Sequence, residues 1–287
     1  MDDEKTRLFS MLAGASSRTV VPLNGEAKRT DSTAPAFFCV HAITGLAAGD
    51  FAELAGEMPE NTRFFAVQAP AKLMAAFNET PRLDLILENH LNAILAAQPN
   101  GPINLGGWSS GALLALELAR KIKAQGRAVG LLAAIDGAPK RMKIETSRLG
   151  YFVKVALNLP SALTHDPKQL FARVFSQLHR KRTRDSAFAG HPVLGVVNDF
   201  DRFPPQQQMF MRNLFDAIEA AVDFAIYDGA IVVYRAKLQP IGLSGVSEFW
   251  RRVAPGCDIV DINGSHAAIV FRPNARRLAA DLARRLA

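Results

Sequence analysis

Two rhythms of apolar and polar positions alternate along most of the chain. Short, nearly continuous apolar runs suit strands buried on both faces, and longer stretches with apolar residues three and four apart suit helices with one buried side. The runs predict strands over 36–40, 63–68, 103–108, 129–135, 230–235 and 258–262. Helical spacing predicts helices over 51–58, 83–97, 111–125, near 247–253 and over 275–286, with Gly126 as a C-terminal stop for the third. An earlier strand-like segment, Thr19-Val20-Val21-Pro22-Leu23, precedes a polar stretch from Gly25 to Pro35 that reads as an exposed hairpin or loop. Strands separated by helices in this order imply a mostly parallel sheet with helices on both faces, hence an α/β fold.

The rhythm breaks over 139–222. That segment reads as helices interrupted by Gly190-His191-Pro192 and Phe203-Pro204-Pro205, without a strand pattern of similar quality. Since the alternation resumes afterwards, 1–287 is expected to be a single domain and 139–222 an insertion into it. No internal repeat and no low-complexity tract stands out.

Composition adds limits. With 287 residues, 49% hydrophobic and 21% charged, the chain can bury one substantial core, and disorder, collagen and coiled coil are excluded. No apolar run reaches the ~18 residues of a spanning helix. The opening MDDEKTRLFS lacks the apolar centre of a secretory signal, so a cytoplasmic protein is expected. Lys and Arg total 34 against 27 Asp and Glu, a net charge of +7 that favours acidic partners. No nucleic-acid recognition motif accompanies that charge, so nucleic acid is a poor explanation for it. Cys39 and Cys257 both lie in apolar runs and read as small core residues.

The chemistry begins at Gly107-Trp108-Ser109-Ser110-Gly111, which follows an apolar strand and opens a Leu- and Ala-rich helix. A Gly-x-Ser-x-Gly sequence between strand and helix is the setting of a nucleophile elbow, in which glycines two positions either side avoid a clash with the sharp turn. Only Ser109 is centred between the two glycines. A phosphate-binding turn is the competing reading, but no Gly-x-x-x-x-Gly-Lys-Ser/Thr is present and Gly106-Gly107 does not extend to Gly-x-Gly-x-x-Gly. A serine hydroxyl is a weak nucleophile and demands a base.

His41, His90, His165, His179, His191 and His266 compete for that role. In this fold class the order is Ser, acid, His, with the base on the loop after the last strand. His266 meets that condition, following Asn263-Gly264-Ser265. His41 ends the first strong strand and precedes Ser109, so it reads as a supporting residue that shapes its loop or as a plain structural histidine; His90 is expected to face solvent from its helix. The acid must sit at another strand end to fix the imidazole tautomer. Asp136 does, directly after the strand that follows the nucleophile helix, whereas Arg235-Ala236-Lys237-Leu238-Gln239 offers no carboxylate and Glu248 lies too far into the next helix. Two backbone N–H groups must hold an oxyanion. Ser110 and, within His41-Ala42-Ile43-Thr44-Gly45, Ile43 are the expected donors.

Taken together these residues resemble the thioesterase domains that end nonribosomal peptide and polyketide assembly lines, and the related fatty acid synthase thioesterases. The likeness runs from Val21-Pro22-Leu23-Asn24 through Phe38-Cys39-Val40-His41 and Gly45, then Gln68-Ala69. It continues with Gly107-Trp108-Ser109-Ser110-Gly111-Ala112 and Leu116-Glu117-Leu118-Ala119, Ile135-Asp136, and Gly264-Ser265-His266. An acid one helix and one strand after the nucleophile is its most discriminating detail. The resemblance implies an α/β-hydrolase fold and a helical lid at 139–222. It further implies an acyl, peptidyl or polyketide chain carried on the phosphopantetheine thioester of a carrier protein, transferred to Ser109 and released by water or an internal nucleophile. Lid residues Phe152, Val153, Val155, Leu157, Leu159 and Leu163 would then line an acyl channel or pack within the lid.

One departure stands out. The first 35 residues are too short for a carrier domain, and Asp31-Ser32-Thr33 makes a poor phosphopantetheine site, so the carrier is expected as a separate partner of a discrete enzyme or excised domain. The basic run Lys168, Arg173, Arg180, Lys181, Arg182 and Arg184 is either a solvated helix face or a docking patch for an acidic carrier. No metal or bound organic cofactor is required by a Ser–His–Asp cycle. A carboxylesterase or lipase, an acyltransferase or macrocyclase, and a noncatalytic binding protein on the same scaffold remain as alternatives.

Overall fold

A computed structural model describes residues 17–29, 33–139, 203–238 and 245–287. Among the described residues seven strands form one sheet: β1 (Val20–Pro22), β2 (Ala36–Val40), β3 (Arg63–Val67), β4 (Ile103–Trp108), β5 (Val129–Ile135), β6 (Ile231–Leu238) and β7 (Asp258–Ser265). Their spatial order is β1-β3-β2-β4-β5-β6-β7. Every pairing is parallel except the edge pair β1–β3, where Val20 opposes Val67 and Pro22 opposes Phe65. Pro22 can sit in β1 because an edge strand leaves one row of backbone donors unused.

The continuous apolar strands are explained by what covers them. On β2, Phe38 and Val40 pack into one core while Phe37 and Cys39 pack into the other, and on β5 Leu132 and Ala134 oppose Leu131, Ala133 and Ile135 in the same way. One face is closed by α1 (Ala52–Glu57) and α7 (Asn274–Leu286), through Leu54, Ala55, Leu278, Ala279 and Leu282. The other is closed by α2 (Ala71–Glu79), α3 (Leu83–Ala97), α4 (Ser110–Ala124), α5 (Pro205–Ala221) and α6 (Val246–Val253). This is the α/β-hydrolase architecture expected from the sequence, a mostly parallel sheet with helices on both faces.

Several local expectations need correcting. α2 is a helix that the sequence patterning above does not predict: Leu73 and Met74 pack half-buried on the core beside Phe77, the one fully buried residue of the helix. The last strand runs through Ser265 rather than ending at Ile262, because a one-residue irregularity between the Ala236–Ile262 and Leu238–Ser265 pairs lets Asn263-Gly264 remain within it. Cys257 precedes β7 and is partly exposed, unlike the buried Cys39; both are free thiols. Within 139–222, the segment expected to be an insertion, α5 is the described helix, and it packs on α2, α3 and α4. Phe152, Val153, Val155, Leu157, Leu159 and Leu163, expected to line a channel or to pack within a lid, and the basic run 168–184 lie outside the described residues, as do His165, His179 and His191. Among the described residues no helix is long and apolar enough to cross a membrane.

Candidate active site

Parallel strands point their carboxyl ends to one edge, and three of those ends deliver the three side chains singled out above. Ser109 follows β4 and its N–H donates to the Ile135 carbonyl at 2.8 Å; Asp136 follows β5 and its N–H donates to the Tyr234 carbonyl at 2.8 Å. Sheet pairing therefore continues one residue past each strand and fixes where both side chains start. At Ser109 the chain turns sharply, with φ 59° and ψ −125°, a conformation that side-chain-bearing residues rarely adopt. The flanking glycines are required by space. A Cβ on Gly107 would lie 2.1 Å from the Gly111 carbonyl oxygen, and one on Gly111 would lie 2.4 Å from that of Val40. Asp136 also has positive φ, 50°.

His266 follows β7 and joins the other two. Its Nδ1 lies 2.8 Å from Asp136 Oδ2, and its Nε2 lies 3.0 Å from Ser109 Oγ. An ionised carboxylate only accepts, so Nδ1 carries the proton, and Nε2 presents its lone pair to the serine O–H. Asp136 is buried, and its Oδ1 accepts the Ala236 N–H at 2.8 Å, so both carboxylate oxygens are engaged. The His266 side chain keeps 18% exposure, which leaves the hydroxyl–imidazole contact reachable from solvent.

The two tryptophans of the chain hold the turns beside these residues. Trp108 Nε1–H donates to the His266 carbonyl at 3.0 Å, with the indole and imidazole centroids 5.5 Å apart. Trp250 Nε1–H donates to the Gly137 carbonyl at 2.7 Å, next to Asp136. Arg235 on β6 binds Asp261 on β7 through Nε at 2.7 Å and Nη2 at 2.9 Å, and reaches Ser247 of α6 through Nη1 at 2.8 Å. A two-pronged guanidinium–carboxylate pair of this kind ties β6, whose Ala236 N–H binds Asp136, to β7, which leads directly into His266. Sequence reasoning missed these supports. The rarity of tryptophan was the available signal, but a donor aimed at a distant backbone carbonyl leaves no spacing to detect.

Ile43 and Ser110 lie at the same edge. Ser110 opens α4, so its N–H belongs to the first turn that has no partner inside the helix. Ile43 is in the turn after β2, which the Gly45 N–H closes on the Ala42 carbonyl at 3.1 Å. Neither the Ile43 nor the Ser110 N–H has a backbone partner among the described residues.

His41 is fully buried and does not join Ser109, Asp136 and His266; its Nδ1–H donates to the Ala42 carbonyl at 2.6 Å. Burial lowers its pKa to about 4, the Ala42 bond opposing the shift only in part, so the ring is neutral at pH 7. His90 corrects the expectation of a solvent-facing residue. It is fully buried with Ile86, Leu87, Leu91 and Ile94 on one side of α3, its ring 5.0 Å from that of His41, edge to face. Burial, and then His41, pushes its pKa well down. Three ring nitrogens of this pair, His41 Nε2 and both of His90, have no hydrogen-bond partner among the described residues.

Comparison with known proteins points the same way. Residues 35–150 match the thioesterase domain family. Chondramide synthase cmdD of Chondromyces crocatus is 24% identical over 290 residues, which cover 96% of this chain and 7% of the synthase. Enterobactin synthase component F of Escherichia coli (strain K12) is 30% identical over 121 residues, covering 42% of this chain and 9% of that protein. The chain thus spans less than a tenth of the length of either relative. Among solved structures, the NocB thioesterase domain in covalent complex with a fluorophosphonate nocardicin G analogue superposes with a TM-score of 0.61 at 19% identity. That match covers 94% of this chain and all of the other, and it speaks to the fold.

Proposed function

We propose that this chain, which has the α/β-hydrolase fold and matches the thioesterase domain family over residues 35–150, is a serine thioesterase of the kind found in nonribosomal peptide and polyketide synthases. It would release an acyl, peptidyl or polyketide chain from the phosphopantetheine thioester of a separate carrier protein in the cytoplasm, with 139–222 as a helical lid on a single domain. The observation that carries this reading is the hydrogen-bonded line from Asp136 Oδ2 through His266 to Ser109 Oγ.

In the first half of the cycle Ser109 Oγ attacks the thioester carbonyl as its proton passes to His266 Nε2. The carbonyl oxygen takes up negative charge opposite the N–H groups of Ile43 and Ser110. Collapse breaks the C–S bond, and the His266 proton goes to the departing thiolate. In the second half His266 takes a proton from water, or from a nucleophile within the acyl chain, as that group bonds to the acyl carbon; the ester bond to Ser109 then breaks with return of the proton to Oγ, releasing the acid or the cyclised product. Asp136 keeps Nδ1 protonated and stabilises the imidazolium formed in each half. A thiolate is a better leaving group than an alkoxide, so the reading favours thioesters over matched oxygen esters.

The test compares wild type with His266→Ala on butanoyl-, octanoyl- and dodecanoyl-pantetheine and on the matched oxygen esters. Wild type should cleave at least one thioester faster than its oxygen ester, and His266→Ala should lose about 10³-fold or more. Preference for the oxygen ester throughout would favour an esterase, and undiminished cleavage by His266→Ala would remove the mechanism.

A further inference from the structure

The turn that presents Ile43 is secured from a helix more than 160 residues away in sequence. Gln207, in the first turn of α5, donates from Nε2 to the Thr44 carbonyl at 3.1 Å. One turn later Phe210, fully buried, packs against Gly45 so tightly that a Cβ there would lie 2.8 Å from its Cε1. α5 is itself moored to α2, because Asn78 Nδ2 donates to the Gln206 carbonyl at 2.8 Å and Phe77 meets Phe210 edge to face at 5.5 Å.

The planarity of the peptide group makes these contacts bear on the oxyanion donor. The Thr44 carbonyl and the Gly45 N–H share one rigid plane, as do the Ala42 carbonyl and the Ile43 N–H. Gln207 fixes the first plane through its carbonyl. The Gly45 N–H of that plane then binds the Ala42 carbonyl at 3.1 Å, which sets the second plane and with it the direction of the Ile43 N–H. His41 Nδ1–H holds the same Ala42 oxygen from the strand side. Ala69 N–H takes the Gly45 carbonyl at 2.9 Å, so neighbouring carbonyls of the turn are tied to three different parts of the molecule.

We propose that Gln207 is a positioning residue for catalysis, acting through the Thr44 carbonyl to hold the Ile43 N–H toward the developing oxyanion; this rests on the reading of Ser109 as the acylated nucleophile. A hydrogen bond that aims an oxyanion donor matters in both halves of the cycle, since each passes through a charged tetrahedral species. It matters little to binding of the uncharged thioester.

Gln207→Met keeps the length of the side chain and removes the donor; Gln207→Ala is the second variant should Met pack poorly. Rapid-quench kinetics with octanoyl-pantetheine should show acylation and deacylation of Ser109 falling together by about tenfold, with KM and the melting midpoint near those of wild type. Ser109→Ala is run in parallel. Wild-type rates for both Gln207 variants beside an inactive Ser109→Ala would overturn this inference alone, as would a rise in KM at unchanged kcat. Turnover surviving in Ser109→Ala would overturn the underlying reading and this inference with it.

Discussion

The elbow at Ser109 and the turn at Ile43 lie on the same sheet edge, yet they are held in different ways. The elbow is shaped by its own backbone: β4 feeds straight into it, its N–H pairs with β5, and Gly107 and Gly111 are close neighbours in sequence. The turn at 42–45 takes its shape from elsewhere, from a buried histidine, a glutamine on α5 and a phenylalanine one turn further along. Side chains at strand ends can therefore be located by spacing, whereas the direction of a backbone N–H depends on partners that spacing does not reveal.

The strongest way to break this contrast is at Ser109, the proposed nucleophile. Ser109→Ala should lower thioester turnover by about 10⁴-fold or more while leaving the denaturant midpoint unchanged. A parallel loss of folding would mean that the hydroxyl is structural. Next in size is Gly107→Ala. The atom its Cβ meets at 2.1 Å is a backbone carbonyl, which cannot swing aside as a side chain would. A loss of roughly 2–4 kcal/mol in urea unfolding is expected, and a midpoint equal to wild type would show that the elbow is not close-packed.

The supports of the base turn should matter less. Trp108→Phe keeps a ring against His266 and removes the indole N–H that its carbonyl accepts. The expected cost is about 1 kcal/mol of stability and a several-fold fall in kcat with little change in KM, measured with the same thioester. If kcat is untouched, the bond does not position the base.

The smallest effect probes the buried histidines behind the turn at Ile43. His41 has a folded pKa of about 4 against an ordinary imidazole value of about 6.5, and His90 is shifted in the same direction. As pH falls from about 6.5 to 4, the unfolded chain takes up protons that the folded chain refuses. The stability these residues allow is thus fully present above about 6.5 and declines towards pH 4. His90→Leu removes two unpartnered ring nitrogens and one titrating group, so its urea midpoint should fall less between pH 7 and pH 5 than that of wild type. An equal fall would show that His90 takes up its proton as readily in the folded chain as in the unfolded one.

These differences also explain how much was legible in the sequence. The parallel core could be read because β2 and β5 must be apolar on both faces, and the strand ends at 108 and 135, with a loop expected after Ile262 where the strand in fact runs to Ser265, pointed to Ser109, Asp136 and His266 at one edge. His90 was misplaced although the signal existed: positions 86, 90 and 94 recur every four residues, and a histidine on that side of α3 enters the core with its neighbours. α2 was missed although Leu73, Met74 and Phe77 lie at helical spacing on one side, because three apolar positions in a nine-residue segment are a short signal. Trp250, Arg235 and Gln207 were invisible as supports for a simpler reason: each acts across a gap in sequence that only the folded chain closes.

The most direct test of the central claim is intact mass of the protein quenched rapidly after mixing with acyl-pantetheine thioesters, followed by peptide mapping. The account predicts that at least one thioester adds the mass of one acyl group to wild type, mapped to Ser109, and that Ser109→Ala gains none. An adduct mapped elsewhere, or a Ser109→Ala protein that still consumes the thioester at the wild-type rate, would contradict it.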